Sequence, residues 1–240
     1  MILSPAHQLA MLLPWKTASQ TLRSRLQAIN QSPYTENFHL NTTLHRVVHQ
    51  HLVLADFLKL PENKPGMQLA VFVRNPYDRV YSGFMQLMRD VASQPKWVFE
   101  APWIGALVRQ QLSENFESLC KAQFNVNRWF LSLPEYAFHD VGRNSSLPLY
   151  PAHFWTHSDG QLRAAFIGKV ENFEADFVKL TEQFNILDFG HEDANRSQVK
   201  TTPDARNYHY VQKLGARTIA RINDVFAADF AYFGYDKIKP

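Results

Sequence analysis

Glycine is scarce in this chain: 9 of 240 residues, roughly 4% where about 7% is usual. The two commonest glycine-built nucleotide loops, G-x-x-x-x-G-K-[ST] and G-x-G-x-x-G, are both absent. Cysteine is almost missing too. The single Cys120 excludes an internal disulfide framework and any multi-Cys zinc or iron–sulfur site, and its place in an apolar helical pattern predicts an inert, buried thiol. Neither sign of charge is in excess. The 25 Lys+Arg and 22 Asp+Glu leave a net +3, too mild for a nucleic-acid coat. No nucleic-acid partner is expected, although a local basic site for an anion stays open. Long hydrophobic runs are lacking as well. Residues 8–15 (QLAMLLPW) are apolar but too short to span a bilayer, and Lys16 and Arg23 follow. The n-region, h-region and cleavage order of a secretory signal is also missing. The expectation is a cytoplasmic protein with no integral membrane segment, though a chain trimmed of a membrane anchor would read the same.

What is present fits one domain over residues 1–240, with 45% hydrophobic and 20% charged residues. QLAMLL (8–13) reads as a short buried strand. A polar turn and a helix from about Ser19 follow, with Leu22, Leu26 and Ile29 as its apolar stripe and Ser19 or Thr17 as its cap. Residues 30–43 read as a loop, and HRVVHQHLVLADFLKL as a short strand or turn running into a helix. MQLAVFV (67–73) is a strong buried strand. The next helix is well marked: Asn75 suits the N-cap, Pro76 the first turn, and Asp78 the far side of a capping box. Its buried face is Val80, Phe84, Leu87, Met88 and Val91. Further helices fit 104–121 and 124–131, a strand 164–168, and a helix carrying Phe173, Phe177, Leu180 and Phe184. The stretch 188–206 reads as a polar loop, and one long helix fits about 207–231. Strands alternating with helices predict an α/β fold with a central, mainly parallel sheet covered on both faces.

Two strand–loop–helix units could hold an anion. In LAMLL-PWKTASQT-LRSRL, backbone N–H groups at the helix start, its partial positive charge and Lys16 converge, and small Ala18 permits close approach. Thr17, Ser19 and Thr21 add hydroxyl donors. In VFV-RNPYDRVYSGF, Arg74 stands at the strand end and Ser82 within the following helix. Each unit alone is also compatible with ordinary structure: a capped helix in the first, and Arg74 or Arg79 paired with Asp78 or Asp90 in the second. Together, on neighbouring parallel strands, they would face one carboxyl edge of the sheet, where ligands of open α/β folds bind.

At these residues the sequence resembles the sulfotransferases that use 3′-phosphoadenosine-5′-phosphosulfate (PAPS), in particular the carbohydrate O-sulfotransferase branch. PWKTASQTL resembles the family's 5′-phosphosulfate loop, and FVRNPYDRVYSGF its R-x-P-x-x-R-x-x-S motif for the 3′-phosphate. IGKVENFEADF and the closing YFGYD resemble two later segments. The resemblance implies a P-loop-NTPase-like three-layer fold, PAPS as donor and adenosine 3′,5′-bisphosphate as product, a carbohydrate or other hydroxyl-bearing acceptor, and no metal. It implies that Lys16 contacts the phosphosulfate and neutralises the departing phosphate. Thr17, Ala18, Ser19, Gln20 and Thr21 would hold the phosphosulfate, Arg74 and Ser82 the 3′-phosphate, and Arg79 would be structural. Arg196, Ser197 and Lys200 lie where relatives place basic residues over the donor. One departure is Trp15, which stands between Pro14 and Lys16 where the family usually has Lys directly after Pro.

Transfer to a hydroxyl needs a base, and histidine titrates in the right range. Ten histidines are present, with His39, His45, His49 and His51 close together. HQHLVLADF resembles a stretch of uronyl 2-O-sulfotransferases whose second histidine is the base, which implies His51 as catalytic beside Lys16, with His49 its neighbour. Two plainer readings remain: ordinary polar histidines, or a metal site at His45, His49 and His51. Trp97, Trp103, Trp129 and Trp155 could stack on sugars, but core packing is the expectation for each. Two other functions stay open: a kinase or NTPase of related fold, and a non-catalytic module that keeps the donor pocket. A kinase would want a metal-holding carboxylate at a strand end, where AVFVRN offers Arg.

Overall fold

The structure is a computed structural model that describes residues 1–93, 101–141, 149–187 and 210–240. The strands are β1 (Ile2–Ser4), β2 (Leu9–Leu12), β3 (Phe38–Asn41), β4 (Arg46–His49), β5 (Gln68–Val73), β6 (His157–Ser158), β7 (Gln161–Leu162) and β8 (Ala164–Lys169). The helices are α1 (Ser19–Arg25), α2 (Leu54–Phe57), α3 (Pro76–Ser93), α4 (Pro102–Lys121), α5 (Val126–Ser132), α6 (Phe173–Gln183), α7 (Ala216–Val225) and α8 (Ala227–Phe233). The main sheet has four strands in the order β1-β2-β5-β8. β1 runs antiparallel to β2, while β2, β5 and β8 are parallel, with Met11 opposite Ala70 and Phe72 opposite Gly168.

Because side chains alternate along a strand, the apolar runs serve two cores. Leu9, Met11, Ala70, Phe72 and Phe166 meet Leu22 of α1 and Phe177 and Leu180 of α6. Ala10, Leu12, Leu69, Val71 and Val73 meet Leu54 and Phe57 of α2, Trp155, and Phe233 of α8. Each fully buried Leu, Val, Met or Phe among them contributes about 1.5–3 kcal/mol of burial free energy. A third core gathers Val80, Phe84 and Leu87 of α3 with Leu119, Trp129, Ile219, Ile222 and Phe226. Trp129 and Trp155 are core residues, Trp103 is partly exposed, and Trp97 lies outside the described residues. Among the described residues no helix is long and apolar enough to cross a membrane.

Several expectations change. The loop expected over 30–43 holds β3, which pairs with β4 as a hairpin; Phe38 and Leu40 alternate with His39 and Asn41, but over only four residues, with Leu40 exposed, a run too short to mark a strand among polar neighbours. The long helix expected to end near 231 is two helices meeting at Phe226, whose φ of −103° and ψ of 23° break the run. The bend lets buried Asp229 accept from the N–H groups of Ala152 (2.6 Å) and His153 (2.9 Å). Cys120 is exposed, because α4 turns its neighbour Leu119 inward instead. The cap of α1 is Ala18, which has no side-chain cap bond, rather than Ser19 or Thr17. Asn75 does cap α3 through Tyr77 N (3.0 Å), but its own N–H donates to Glu171 Oε1 (2.7 Å). The reciprocal arm expected from Asp78 thus comes from another element.

Candidate active site

Residues 14–18 leave the carboxyl end of β2 and enter α1. Lys16 (φ 69°) and Ala18 (φ 60°) are both left-handed, a conformation that costs a non-glycine residue roughly 1–3 kcal/mol. Alternating hands of this kind turn successive N–H groups toward one point. Thr17, fully buried, donates its hydroxyl to Pro14 O (2.8 Å). That proton is committed within the loop, so Thr17 can serve an anion through its backbone N–H rather than its hydroxyl. Ser19 and Thr21 are half-buried on the first turn of α1, and Gln20 is exposed.

Arg74 follows the carboxyl end of β5, beside β2, so the two loops open at the same edge of the sheet. Lys16 is half-buried, and its pKa is held down at about 8 by burial first, then by the charges of Arg89 and Arg74, with Asp90 opposing. The Lys16 ammonium donates to Gln86 Oε1 (3.1 Å), which also accepts from Arg89 (3.0 Å), while Gln86 donates to Asp90 (2.6 Å). Arg74 has no hydrogen bond or ion pair with any described residue. Among the described residues, Lys16, Arg74 and Arg89 thus gather at one edge, with Asp90 opposing their charge there. Ser82 is half-buried on α3 without a hydrogen-bond partner among the described residues. Arg196, Ser197 and Lys200 lie outside the described residues.

The loop is buttressed by one face of α3. Arg79 is fully buried and donates its Nε to Trp15 O (3.0 Å) and an Nη2 proton to Tyr150 O, while Nη1 lies 3.8 Å from Asp229. Burial lowers its pKa to about 10 against the raising effect of Asp229. One turn on, a Cβ at Gly83 would stand 2.7 Å from Cζ3 of Trp15. Gln86 and Asp90 complete the row at helical spacing. This accounts for the extra Trp15: its ring occupies the space that Gly83 leaves on α3. Gly83→Ala should lose stability, since about 1–3 kcal/mol of overpacking exceeds the ~1 kcal/mol that Gly→Ala gains within a helix. Urea unfolding would measure this. An unchanged midpoint would mean that the Trp15 ring moves freely.

Other segments close the same edge. Glu171, just after β8, accepts from Asn75 N and from the Tyr235 hydroxyl (3.0 Å), and the Lys169 ammonium lies 4.6 Å from the centre of the Tyr235 ring. Burial and then Glu171 raise the Tyr235 pKa well above its usual value.

His51 is buried, and its Nδ1 lies 2.6 Å from the carbonyl oxygen of Leu13, the last residue before the loop. That geometry puts the proton on Nδ1 and leaves Nε2 as a lone pair. Nε2 has no hydrogen-bond partner among the described residues and is not fully enclosed. The ring stacks on His49, with centroids 5.1 Å apart. Burial, and then the neighbouring His49, depress the His51 pKa well below its usual value, and burial and His39 bring His49 down to about 3. Both are neutral imidazoles near pH 7. His45 sits in the β3–β4 turn in the left-handed region (φ 51°).

Arg89, Gln86 and Asp90 are the site residues that sequence reading missed. Their only signal is a helical row along α3, in which Gln86 stands three residues after Gly83, and Arg89 and Asp90 stand three and four after Gln86. A model of the sulfotransferase family matches residues 1–236 of the chain. Neither the curated proteins nor the solved structures compared with it contain a match.

Proposed function

Given that the chain belongs to the sulfotransferase family, we propose that it transfers a sulfuryl group from PAPS to a hydroxyl of a carbohydrate acceptor, as one domain with a P-loop-NTPase-like sheet. The observation that carries this reading is the meeting of Lys16, Arg74 and Arg89 at the shared carboxyl edge of β2 and β5. Mutually repelling cations of this kind are completed by a polyanion. An adenosine with phosphate at both its 3′ and 5′ ends fits two cation-bearing loops on adjacent strands. The carbohydrate acceptor rests on the likeness of HQHLVLADF to saccharide enzymes.

The donor supplies an activated sulfuryl group on a phosphate leaving group. Lys16 and the N–H groups of residues 16–19 would hold the 5′ end, and Arg74 with Ser82 the 3′-phosphate. His51 Nε2 takes the proton of the attacking hydroxyl, while Nδ1–H to Leu13 O fixes the ring and its tautomer. The Lys16 ammonium compensates the charge that grows on the leaving oxygen. Gln86 keeps Lys16 aimed.

Isothermal titration tests the donor. Adenosine 3′,5′-bisphosphate should bind and ATP–Mg should not compete with it; tight binding of ATP–Mg alone would replace this reading by a kinase. Transfer of labelled sulfate to a glycan panel tests the acceptor. Binding without any transfer would leave a non-catalytic module. The pH dependence has a definite sign. Lys16 must be cationic, and it loses its proton as pH rises through about 8. Hence kcat/KM for the donor should fall up to tenfold per pH unit above about pH 8. His51, held neutral by burial, should impose no acid limb near neutral pH. A profile that keeps rising to pH 10 would remove Lys16 from this role.

A further inference from the structure

Glu171, just after β8, is a carboxylate that pairs with neither of the cations beside it. Lys169 stands two residues before it, opposite Val73 in the β5–β8 register. Arg74 is the next residue after Val73, and it directly precedes the Asn75 N–H that donates to Glu171 Oε1 (2.7 Å). Neighbouring strands run about 5 Å apart, so the three charged residues share one corner of the sheet edge. Carboxylates and guanidinium groups so placed ordinarily form bidentate pairs. Here Arg74 has no hydrogen bond or ion pair with any described residue, and the Lys169 ammonium rests over the Tyr235 ring, 4.6 Å from its centre.

Tyr235 accounts for this. Gly234 ends α8 in the left-handed region (φ 62°), and Tyr235 N donates to Phe230 O (3.1 Å). The chain turns back, and the half-buried ring packs against the core of α3 and that of α2. Its hydroxyl donates to Glu171 Oε2 (3.0 Å), while Oε1 takes the Asn75 N–H. Each oxygen of the carboxylate is thus held by a neutral donor. Burial and then Glu171 raise the Tyr235 pKa well above its usual value, so the phenol keeps its proton. We propose that Tyr235 is a positioning residue for recognition of the 3′-phosphate: with Glu171 it fixes the turn after Arg74, and it keeps the carboxylate from drawing in the guanidinium, which stays open to the ligand. This rests on the reading of Arg74 as the 3′-phosphate residue. Arg74 makes the bond to phosphate; Tyr235 and Glu171 act only through it.

Calorimetric titration of the full chain with adenosine 3′,5′-bisphosphate and with adenosine 5′-phosphate reads the 3′-phosphate as a ratio of affinities. The wild type should favour the bisphosphate by about tenfold or more, the usual worth of a charged hydrogen bond. In Tyr235→Phe the freed Oε2 takes Arg74, and the ratio should fall about fivefold, with the affinity for adenosine 5′-phosphate little changed. Adding Glu171→Gln to that variant should restore the ratio, because the amide oxygen still accepts from Asn75 N and the amide carries no charge to hold Arg74. A turn that was merely loosened would not be rescued by a second substitution. Glu171→Gln alone should keep the wild-type ratio. An unchanged ratio in Tyr235→Phe, or a loss that Glu171→Gln leaves in place, overturns this proposal and spares the donor reading. Equal affinities for the two ligands in the wild type would instead remove Arg74 from the 3′-phosphate, and the role of Tyr235 with it.

Discussion

His51→Asn should lose about 10³-fold in transfer rate, within the 10²–10⁴ range of a positioned base, while binding adenosine 3′,5′-bisphosphate as the wild type does. Asparagine can place its amide N–H where Nδ1–H now meets Leu13 O, so the loop keeps its anchor. It has no atom at the position of Nε2. His51→Ala should lose transfer to the same degree and, in addition, some stability, because the Leu13 carbonyl is left without its donor. Single-turnover sulfate transfer and calorimetric titration on both variants separate the roles. Transfer at wild-type rate in His51→Asn would exclude His51 as the base. Loss of bisphosphate affinity in the same variant would make it a support of the loop instead.

Arg79→Met should cost about 3–5 kcal/mol of folding stability, the usual consequence of removing one member of a buried ion pair. Asp229 would keep its bonds from Ala152 N and His153 N but lose the guanidinium at 3.8 Å, and the carbonyls of Trp15 and Tyr150 would each lose a donor. Urea unfolding of Arg79→Met, Asp229→Asn and the double variant gives the coupling energy. Strict additivity would show that the pair does not interact. Since Arg79 also holds Trp15, bisphosphate affinity should fall in the folded fraction of Arg79→Met.

The parts of the fold legible in the sequence are those fixed by local chemistry. The run LAVFV is buried on both faces and reads as a central strand because nothing polar interrupts it. Asn75-Pro76 marks the start of α3 because cap and first turn are neighbours in sequence. The break at Phe226 was not legible, since neither Pro nor Gly marks it; it answers to Asp229 reaching two N–H groups more than seventy residues away. Cys120 was misread because Leu119 and Cys120 are both apolar, and only packing decides which one faces inward. In the site, Lys16 and Arg74 were legible as cations at strand ends. The hydroxyl of Thr17 looked like a ligand donor and is a loop closure. Arg89, Gln86 and Asp90 look like ordinary surface residues of a helix until Lys16 is set beside them.

The loop between Pro14 and Ser19 carries two left-handed residues and no glycine. Glycine at 16 or 18 would relieve the strain but would widen the set of shapes open to the loop before it is ordered. Fixing each backbone residue opposes ordering by about 1–2 kcal/mol. With side chains at both positions, and with Trp15 pinned by Arg79 and Gly83, that entropy is lost while the chain folds. A ligand then arrives at a surface already set, and none of its binding free energy goes into arresting a mobile loop. The shortage of glycine thus moves the ordering step from association to folding.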